Sequence, residues 1–379
     1  MPENKGAVLY VGGFELPDRN PAAHRVLNNA KILKELGYKV VLCGVDKEIT
    51  ATNETPQIIN GFESYPIAYP KSTKQWIKQM TDISHYKTII SKYNVKLIIG
   101  YNLHAAPLAK LLKLAKKSGI KVVADCTEWY ENKFSLKPIK LIKCVDTFFT
   151  MRVLQKKCDG MIAISSFLAD YYKKRVKNTV ILPPLVDSED EKYINNKTEN
   201  EIPVLVYSGS PSASKEALGD VVKALNRLDD IPFKLKVVGV TREGFKEIYN
   251  VEPNGEKIEF LGRVSHSEAL NAVKNSDYSL VIRPKSRVTT AGFPTKFAEA
   301  ISCGTAVIAN DISDLAEYLK NNKNGYLIKL ENIQQELNEI LLKKEMPTVE
   351  KETFDYRNYI AKIKVFLCDI GIMDNGELN

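Results

Sequence analysis

Short apolar runs rich in β-branched residues alternate with segments of helical period along most of the chain, and the alternation stops once and restarts. The first series places strands at Ala7–Val11, Lys39–Cys43, Lys96–Gly100, Lys121–Asp125, Met161–Ile164 and Val180–Leu182. Helical spacing fills Ala22–Leu36, ended by Gly37, and Pro107–Ser118. An acid-rich polar stretch, Asp187–Glu201, then reads as a linker. The second series has strands at Val204–Tyr207, Lys234–Val238, Ile258–Leu261, Ser279–Ile282 and Thr305–Ala309, with a helix from Glu216 to Leu228. A helical tail covers Tyr356–Leu367. Short buried strands separated by helices predict parallel sheets covered on both faces, the α/β class. In such sheets ligands bind beyond the carboxyl ends of the strands, so loops that follow strands hold the candidate site residues.

A length of 379 residues suits two such domains. Hydrophobic residues make up 44% and charged residues 26%, which excludes a disordered, collagen-like or polytopic membrane chain. The first apolar run, Ala7 to Phe14, is broken by Gly12-Gly13 and has no basic lead, so we expect no secretory signal and a cytoplasmic protein. The six cysteines form no CxxC pair, and reduced thiols are expected rather than zinc or disulfides.

Charge is uneven. Residues 1–186 hold 29 Lys+Arg against 15 Asp+Glu, a balance of +14, whereas the remainder balances at −6. A basic first half suits an anionic surface or substrate. No zinc-finger spacing or RNA-recognition motif accompanies it, so nucleic acid is not expected.

Two loops carry chemistry. Ala291-Gly-Phe-Pro-Thr-Lys-Phe-Ala-Glu299 leads from a strand into a helix, with Gly292 expected to make a tight turn and Pro294 to sit in the helix's first turn. Backbone N–H groups at such a helix start, near Thr295 and Lys296, form a phosphate site. Glu299, about one turn in, can accept hydrogen bonds from a ribose diol. The second loop, Ser208-Gly-Ser-Pro-Ser-Ala-Ser-Lys215, can bring backbone amides and one ammonium group to a diphosphate. It is no P-loop, since GxxxxGK[ST] is absent. The chain also lacks an Asp-x-Asp pair placed after a strand, so no metal-chelated diphosphate is indicated.

Together these segments resemble the nucleotide-sugar glycosyltransferases built from two facing Rossmann-like domains (the GT-B fold), above all the retaining family-four enzymes of bacterial surface-polysaccharide synthesis. Gly12-Gly13 is similar to the family's N-terminal glycine loop, His104 to its N-domain active-site histidine, and Leu182-Pro-Pro-Leu-Val-Asp187 to the segment before its hinge. Gly209 to Lys215 resembles the diphosphate loop, Leu261-Gly-Arg-Val264 the nucleobase-side loop, and Gly292 to Glu299 followed by Cys303-Gly-Thr-Ala-Val-Ile308 the donor-binding signature. The resemblance implies an acceptor-side domain over 1–188, a linker over 189–202, a nucleotide-sugar domain over 203–354, and a helix within 355–379 that returns across an interdomain cleft to the first domain.

It also implies a retaining hexosyl-type enzyme taking UDP- or GDP-sugar to a glycan or lipid-linked acceptor without cofactor or metal. His104, Lys215 and Glu299 would be catalytic. Gly12, Gly13, Gly209, Ser210, Val264, Arg283, Gly292, Phe293, Pro294, Thr295 and Lys296 would bind the donor, with Asp125 and Glu128 on the acceptor side. Two positions depart from the pattern. Ala291 stands where the family often has the first Glu of Glu-x7-Glu, and Ser210 where it often has Arg; Arg283 or Arg287 could compensate. These departures keep open a second class, a nucleotide-sugar-binding subunit that supports a partner transferase. A nicotinamide oxidoreductase is disfavoured because the N-terminal loop lacks GxGxxG. Finally, Lys137, Lys140 and Lys143 recur beside Ile139, Ile142, Val145, Phe148 and Phe149 within Lys133–Lys157. At helical spacing that segment suits reversible docking on an anionic inner leaflet.

Overall fold

All six residues of β1 (Ala7–Gly12) are buried, as a strand covered on both faces requires. It belongs to a computed structural model that describes residues 5–52, 55–131, 138–195, 199–343, 345–374 and 376. The chain divides into two units, Met1–Leu185 with Tyr356–Asn379, and Val186–Asp355.

In the first unit the strands after β1 are β2 (Lys39–Cys43), β3 (Val45–Asp46), β4 (Gln57–Ile59), β5 (Phe62–Ser64), β6 (Ile67–Ala68), β7 (Val95–Tyr101), β8 (Lys121–Cys126), β9 (Gly160–Ala163) and β10 (Thr179–Ile181). Eight form one sheet in the order β10-β9-β8-β7-β1-β2-β5-β4, and β3 pairs with β6 in a small ribbon. Among the described residues only β4 and β5 pair antiparallel. The strand order reverses between β1 and β7, whose register sets Tyr10 beside Ile99 and Gly12 beside Tyr101. Helix Pro21–Glu35 starts with Pro21 behind the cap Asn20, whose side chain accepts from Ala23 N. It buries Val26, Ala30 and Leu33 in a core shared with Ile363, Phe366 and Leu367 of the tail. The tail opens as a 3-10 turn, Tyr356–Tyr359, and the α-helix itself is Ile360–Asp369, later than the periodicity predicts.

The second unit contains β11 (Val204–Ser208), β12 (Lys234–Val238), β13 (Ile258–Gly262), β14 (Tyr278–Val281), β15 (Ala306–Asn310) and β16 (Gly325–Ile328). They form one sheet, β13-β12-β11-β14-β15-β16, with every pairing parallel. Its reversal lies between β11 and β14. Val186 bridges Asp355, so the segments by which the chain enters and leaves this unit are paired.

Asp125, expected on the acceptor side, lies in the core of the first unit at 0% exposure. Arg25 donates to both its oxygens, from Nε at 2.9 and 3.0 Å and from Nη2 at 2.7 Å. Tyr10 donates its hydroxyl to the same carboxylate. Burial first, and the Asp125 charge second, push Tyr10 well above its usual range, so it stays the donor. Arg25 Nη1 donates in addition to Leu182 O at 2.8 Å. The carboxylate therefore ties β1, β8, a helix and the end of the first unit together, and has no face left for a substrate. Removing one partner of such a pair strands a buried charge. Asp125→Ala is expected to cost about 3–5 kcal/mol of stability in urea unfolding, and Arg25→Met/Asp125→Leu much less than the two single changes summed. A loss under ~1 kcal/mol for Asp125→Ala would remove this pair as a determinant of the fold.

Candidate functional site

The reversal between β11 and β14 creates a crevice at the carboxyl ends of those strands, and four polar side chains of the second unit meet there. Glu216, in the loop after β11, is buried. Arg283, just beyond β14, donates from Nη2 to Glu216 Oε1 at 3.0 Å. Lys296 Nζ lies 3.0 Å from Glu216 Oε2 and 4.0 Å above the centre of the Tyr207 ring. The Lys296–Glu216 pair is in ion-pair range without hydrogen-bond alignment. Lys296 Nζ, Glu216 Oε2, Arg283 Nε and the Tyr207 hydroxyl are accordingly all buried polar atoms with no hydrogen-bond partner. Buried polar atoms are rarely left so, and a cluster of them with two cations and one carboxylate fits an anionic ligand.

Burial pushes Lys296 from 10.5 down to about 8; Glu216 opposes that drop and Arg283 adds to it. Between about 8 and 10.5 an unfolded chain keeps this proton and the folded chain has lost it. Lys296 thus makes stability rise with pH across that window and contributes no slope below it. Anion binding runs the other way, weakening as pH climbs through about 8. Urea titrations of the parent and of Lys296→Met across that window check the sign; the extra rise should be missing from the variant, and equal slopes would refute it.

Packing fixes these groups. Asn310, the last residue of β15, accepts from Arg283 N and donates from Nδ2 to Arg283 O, both at 2.9 Å. Gly209 adopts φ +141, where side chains are strained. Gly239 (φ +105) follows β12, and a Cβ there would run into the Gly209 carbonyl oxygen. Gly239→Ala should push the Ser208–Ser210 backbone outward and weaken pyrophosphate binding at least about tenfold by calorimetry. Unchanged affinity would mean that the loop's position is irrelevant to the ligand.

The other expected donor residues fall into two groups. Thr295 and Lys296 open helix Thr295–Ser302, and their N–H groups have no acceptor within it, whereas Phe297 N already donates to Pro294 O at 3.0 Å. Glu299 on this helix has His266 Nε2 3.4 Å from its Oε1. Val264 follows β13 and is half-buried. Pro294 is the cap before the helix rather than a member of its first turn. Gly292 has φ −88 and ψ 144, which any residue adopts, so no glycine turn is required there. The Phe293 ring joins Phe297, Tyr318 and Phe354 in an aromatic cluster and cannot face a ligand. Lys215 and Ser210 are exposed, and among the described residues nothing holds the Lys215 ammonium. The cations withdrawn from solvent at this crevice are Lys296 and Arg283.

In the first unit, Gly12 (φ +157) ends β1 where a Cβ would strike the Tyr101 carbonyl oxygen, while Gly13 beside it is open. His104 caps helix Ala105–Ser118. Its Nδ1 is 2.8 Å from Asp146 Oδ2, and Ala105 N donates to Asp146 Oδ1 at 2.7 Å. Nδ1 thus donates to the Asp146 carboxylate, which leaves Nε2 of the half-exposed neutral ring as an acceptor. The Trp76 ring meets His104 edge-on at 6.2 Å. Glu128 is exposed.

Glu216, Asn310, Gly239, Tyr207 and Asp146 are not singled out by the sequence. Glu216 follows Lys215 directly, but only the burial of its side chain distinguishes the two. Asp146 lies 42 residues from its histidine.

Residues 188–354 match the family model described as "Glycosyl transferases group 1". No curated protein matches the chain. Among solved structures, the sucrose-phosphate synthase of Thermosynechococcus elongatus is similar at a TM-score of 0.70 and 14% identity, over 95% of this chain and 97% of that one. A glycosyltransferase from Rickettsia africae gives 0.67 and 16%, over 97% and 99%. The Anabaena protein HepE, in complex with UDP-glucose, gives 0.60 and 13%, over 96% and 99%. Such identities show the fold, which is the GT-B fold of two Rossmann-like α/β domains. The group 1 glycosyltransferase signature covers nearly all of the second unit.

Proposed function

We propose that this chain is a retaining glycosyltransferase that moves a hexose-type sugar from a UDP- or GDP-sugar to a glycan or lipid-linked acceptor in bacterial polysaccharide or glycoconjugate synthesis. The observation that carries the reading is the buried Glu216–Arg283–Lys296 cluster at the β11/β14 reversal, within a stretch that matches group 1 glycosyltransferases. The binding of UDP-glucose by HepE, a protein of the same fold, favours a nucleotide-sugar donor.

Breaking the bond from sugar to diphosphate builds negative charge on the departing phosphate. Arg283, Lys296 and the amides at the start of helix Thr295–Ser302 are the groups proposed to meet that charge. Donors fixed in advance lose nothing to reorganisation, and one of them can be worth about 3 kcal/mol. No metal is needed for this neutralisation. Retention implies attack on the face that the phosphate leaves, where the phosphate itself can accept the acceptor's proton. Glu299 would accept from the ribose, His104 Nε2 would accept from a sugar hydroxyl, and Glu128 would serve the acceptor side. The proposed place of work is the cytoplasmic side of a membrane that carries the acceptor.

A panel of nucleotide sugars screened by thermal shift tests the reading. A true donor stabilises by about 2.7 kcal/mol at a hundredfold excess over its Kd. Lys296→Ala should weaken UDP binding and sugar release by about 2–3 kcal/mol, and Lys215→Ala by under ~1 kcal/mol. Equal effects of the two would relocate the phosphate site to the outer loop. His104→Ala should leave donor binding intact while depressing transfer, and EDTA should leave transfer unaltered. Donor binding with no transfer to any acceptor would favour the supporting-subunit reading, which Ala291 and Ser210 keep in view.

A further inference from the structure

Helix Pro138–Phe149 presents its apolar side to solvent. Leu141, Ile142, Val145, Phe148 and Phe149 are each between 40 and 49% exposed, and at 100° per residue they fall within one arc of about 120°. On a soluble helix such an arc faces the core. Here the buried side chains come after it, at Thr150 and Met151, where the helix runs on through Thr150–Leu154. Lys140 and Lys143 are exposed on the same helix. Lys137 lies outside the described residues, as does the Ile139 side chain.

A second feature adjoins it. The chain leaving this helix forms one wall of a groove of about 750 Å³ through Leu154 and Lys157. Lys113, Lys116 and Lys121 line it from the other side among small and apolar residues such as Leu112 and Ile120, and the one acidic lining residue is Asp159, 3.4 Å from Lys121. Four ammonium groups against one carboxylate leave a concave, strongly basic surface. Among the described residues no helix is long and apolar enough to cross a membrane.

We infer that the exposed face of helix Pro138–Phe149 and the adjoining lysine groove together form a docking surface for anionic phospholipid, with the aromatic and aliphatic arc entering the interface and the groove receiving a headgroup phosphate. The charge decides between occupants. A second copy would set basic groove against basic groove, whereas an anionic leaflet complements it. Lys140 and Lys143 fall on the face opposite the arc, and an apolar face backed by a lysine-bearing polar face is the composition of helices that lie in the interface plane. The inference deepens the acceptor side of the transfer reading and rests on it for its purpose, since docking brings a lipid-linked acceptor within reach; its evidence is separate.

The test is co-sedimentation of the full chain with phosphatidylglycerol-containing and with pure phosphatidylcholine vesicles, with UDP-glucose binding measured in parallel. The expected result is binding to the anionic vesicles alone, released by high salt. Lys113→Glu/Lys116→Glu/Lys157→Glu and, separately, Phe148→Ser/Phe149→Ser should each lower partitioning at least about tenfold, since one lysine is worth about fivefold near such a surface. UDP-glucose binding should persist in both variants. Equal binding to both vesicle types, no binding to either, or variants that partition like the parent would overturn the inference. So would displacement by inorganic phosphate at constant ionic strength, which would make the groove a free-phosphate site. A dimer in light scattering that Phe148→Ser dissolves would overturn it in favour of self-association. A chain that ignores vesicles yet binds UDP-glucose loses this inference alone; one that docks yet binds no nucleotide sugar loses the transfer reading alone.

Discussion

Glu216 is the carboxylate on which the second unit's crevice depends. Arg283 and Lys296 carry like charges, and without a buried anion between them one would turn out to solvent or lose its proton. With Glu216 in place the trio still carries one positive charge more than negative. That surplus sits where water is sparse, so it is expensive to maintain and strongly attractive to an anion. Burial holds Lys296 down near 8, Glu216 pulls it back up, and the Arg283 charge adds to the drop. A further anion beside it would raise it. Asn310 contributes without touching the charges, because it holds both backbone polar groups of Arg283 and so fixes where that guanidinium starts.

The first unit solves a similar problem to a different end. Arg25 and Asp125 also form a buried pair at a strand-order reversal, but here every oxygen and most of the guanidinium are used internally. Asn29 Nδ2 donates to the Tyr10 hydroxyl at 3.1 Å and extends the network. A closed network rigidifies; it offers nothing to a ligand. Buried charged residues in the two sheets thus have opposite meanings, and the difference is whether polar atoms remain without partners.

This contrast explains what could be read in advance. The alternation of strand and helix, the approximate strand positions and the parallel pairing follow from periodicities that local sequence displays. So do the two loops around Gly209 and Gly292 as places to look. Side-chain direction does not follow. Lys215 and Glu216 are neighbours, yet one points to solvent and the other into the crevice. Asp125 is next to last in its strand, near where a site residue would sit, but Arg25, a hundred residues earlier, closes over it. Phe293 sits inside the most telling motif and serves the core. Such outcomes are set by contacts between distant segments, which no spacing rule encodes.

The charge balance shows the same limit from another direction. The first half of the sequence holds the basic excess, but the cations of the crevice belong to the second half, which is acidic overall. Net charge is felt through solvent and fades over a Debye length of about 8–10 Å in ordinary salt. Two cations held beside one carboxylate and largely withdrawn from solvent are screened far less, so a local surplus of one outweighs a distant deficit of several. The crevice therefore leaves the basic excess of the first half unexplained. Lysines spread over a surface act only on something broad and anionic that comes close to many of them at once. The lysine groove and the outward apolar arc place part of that excess on one such surface.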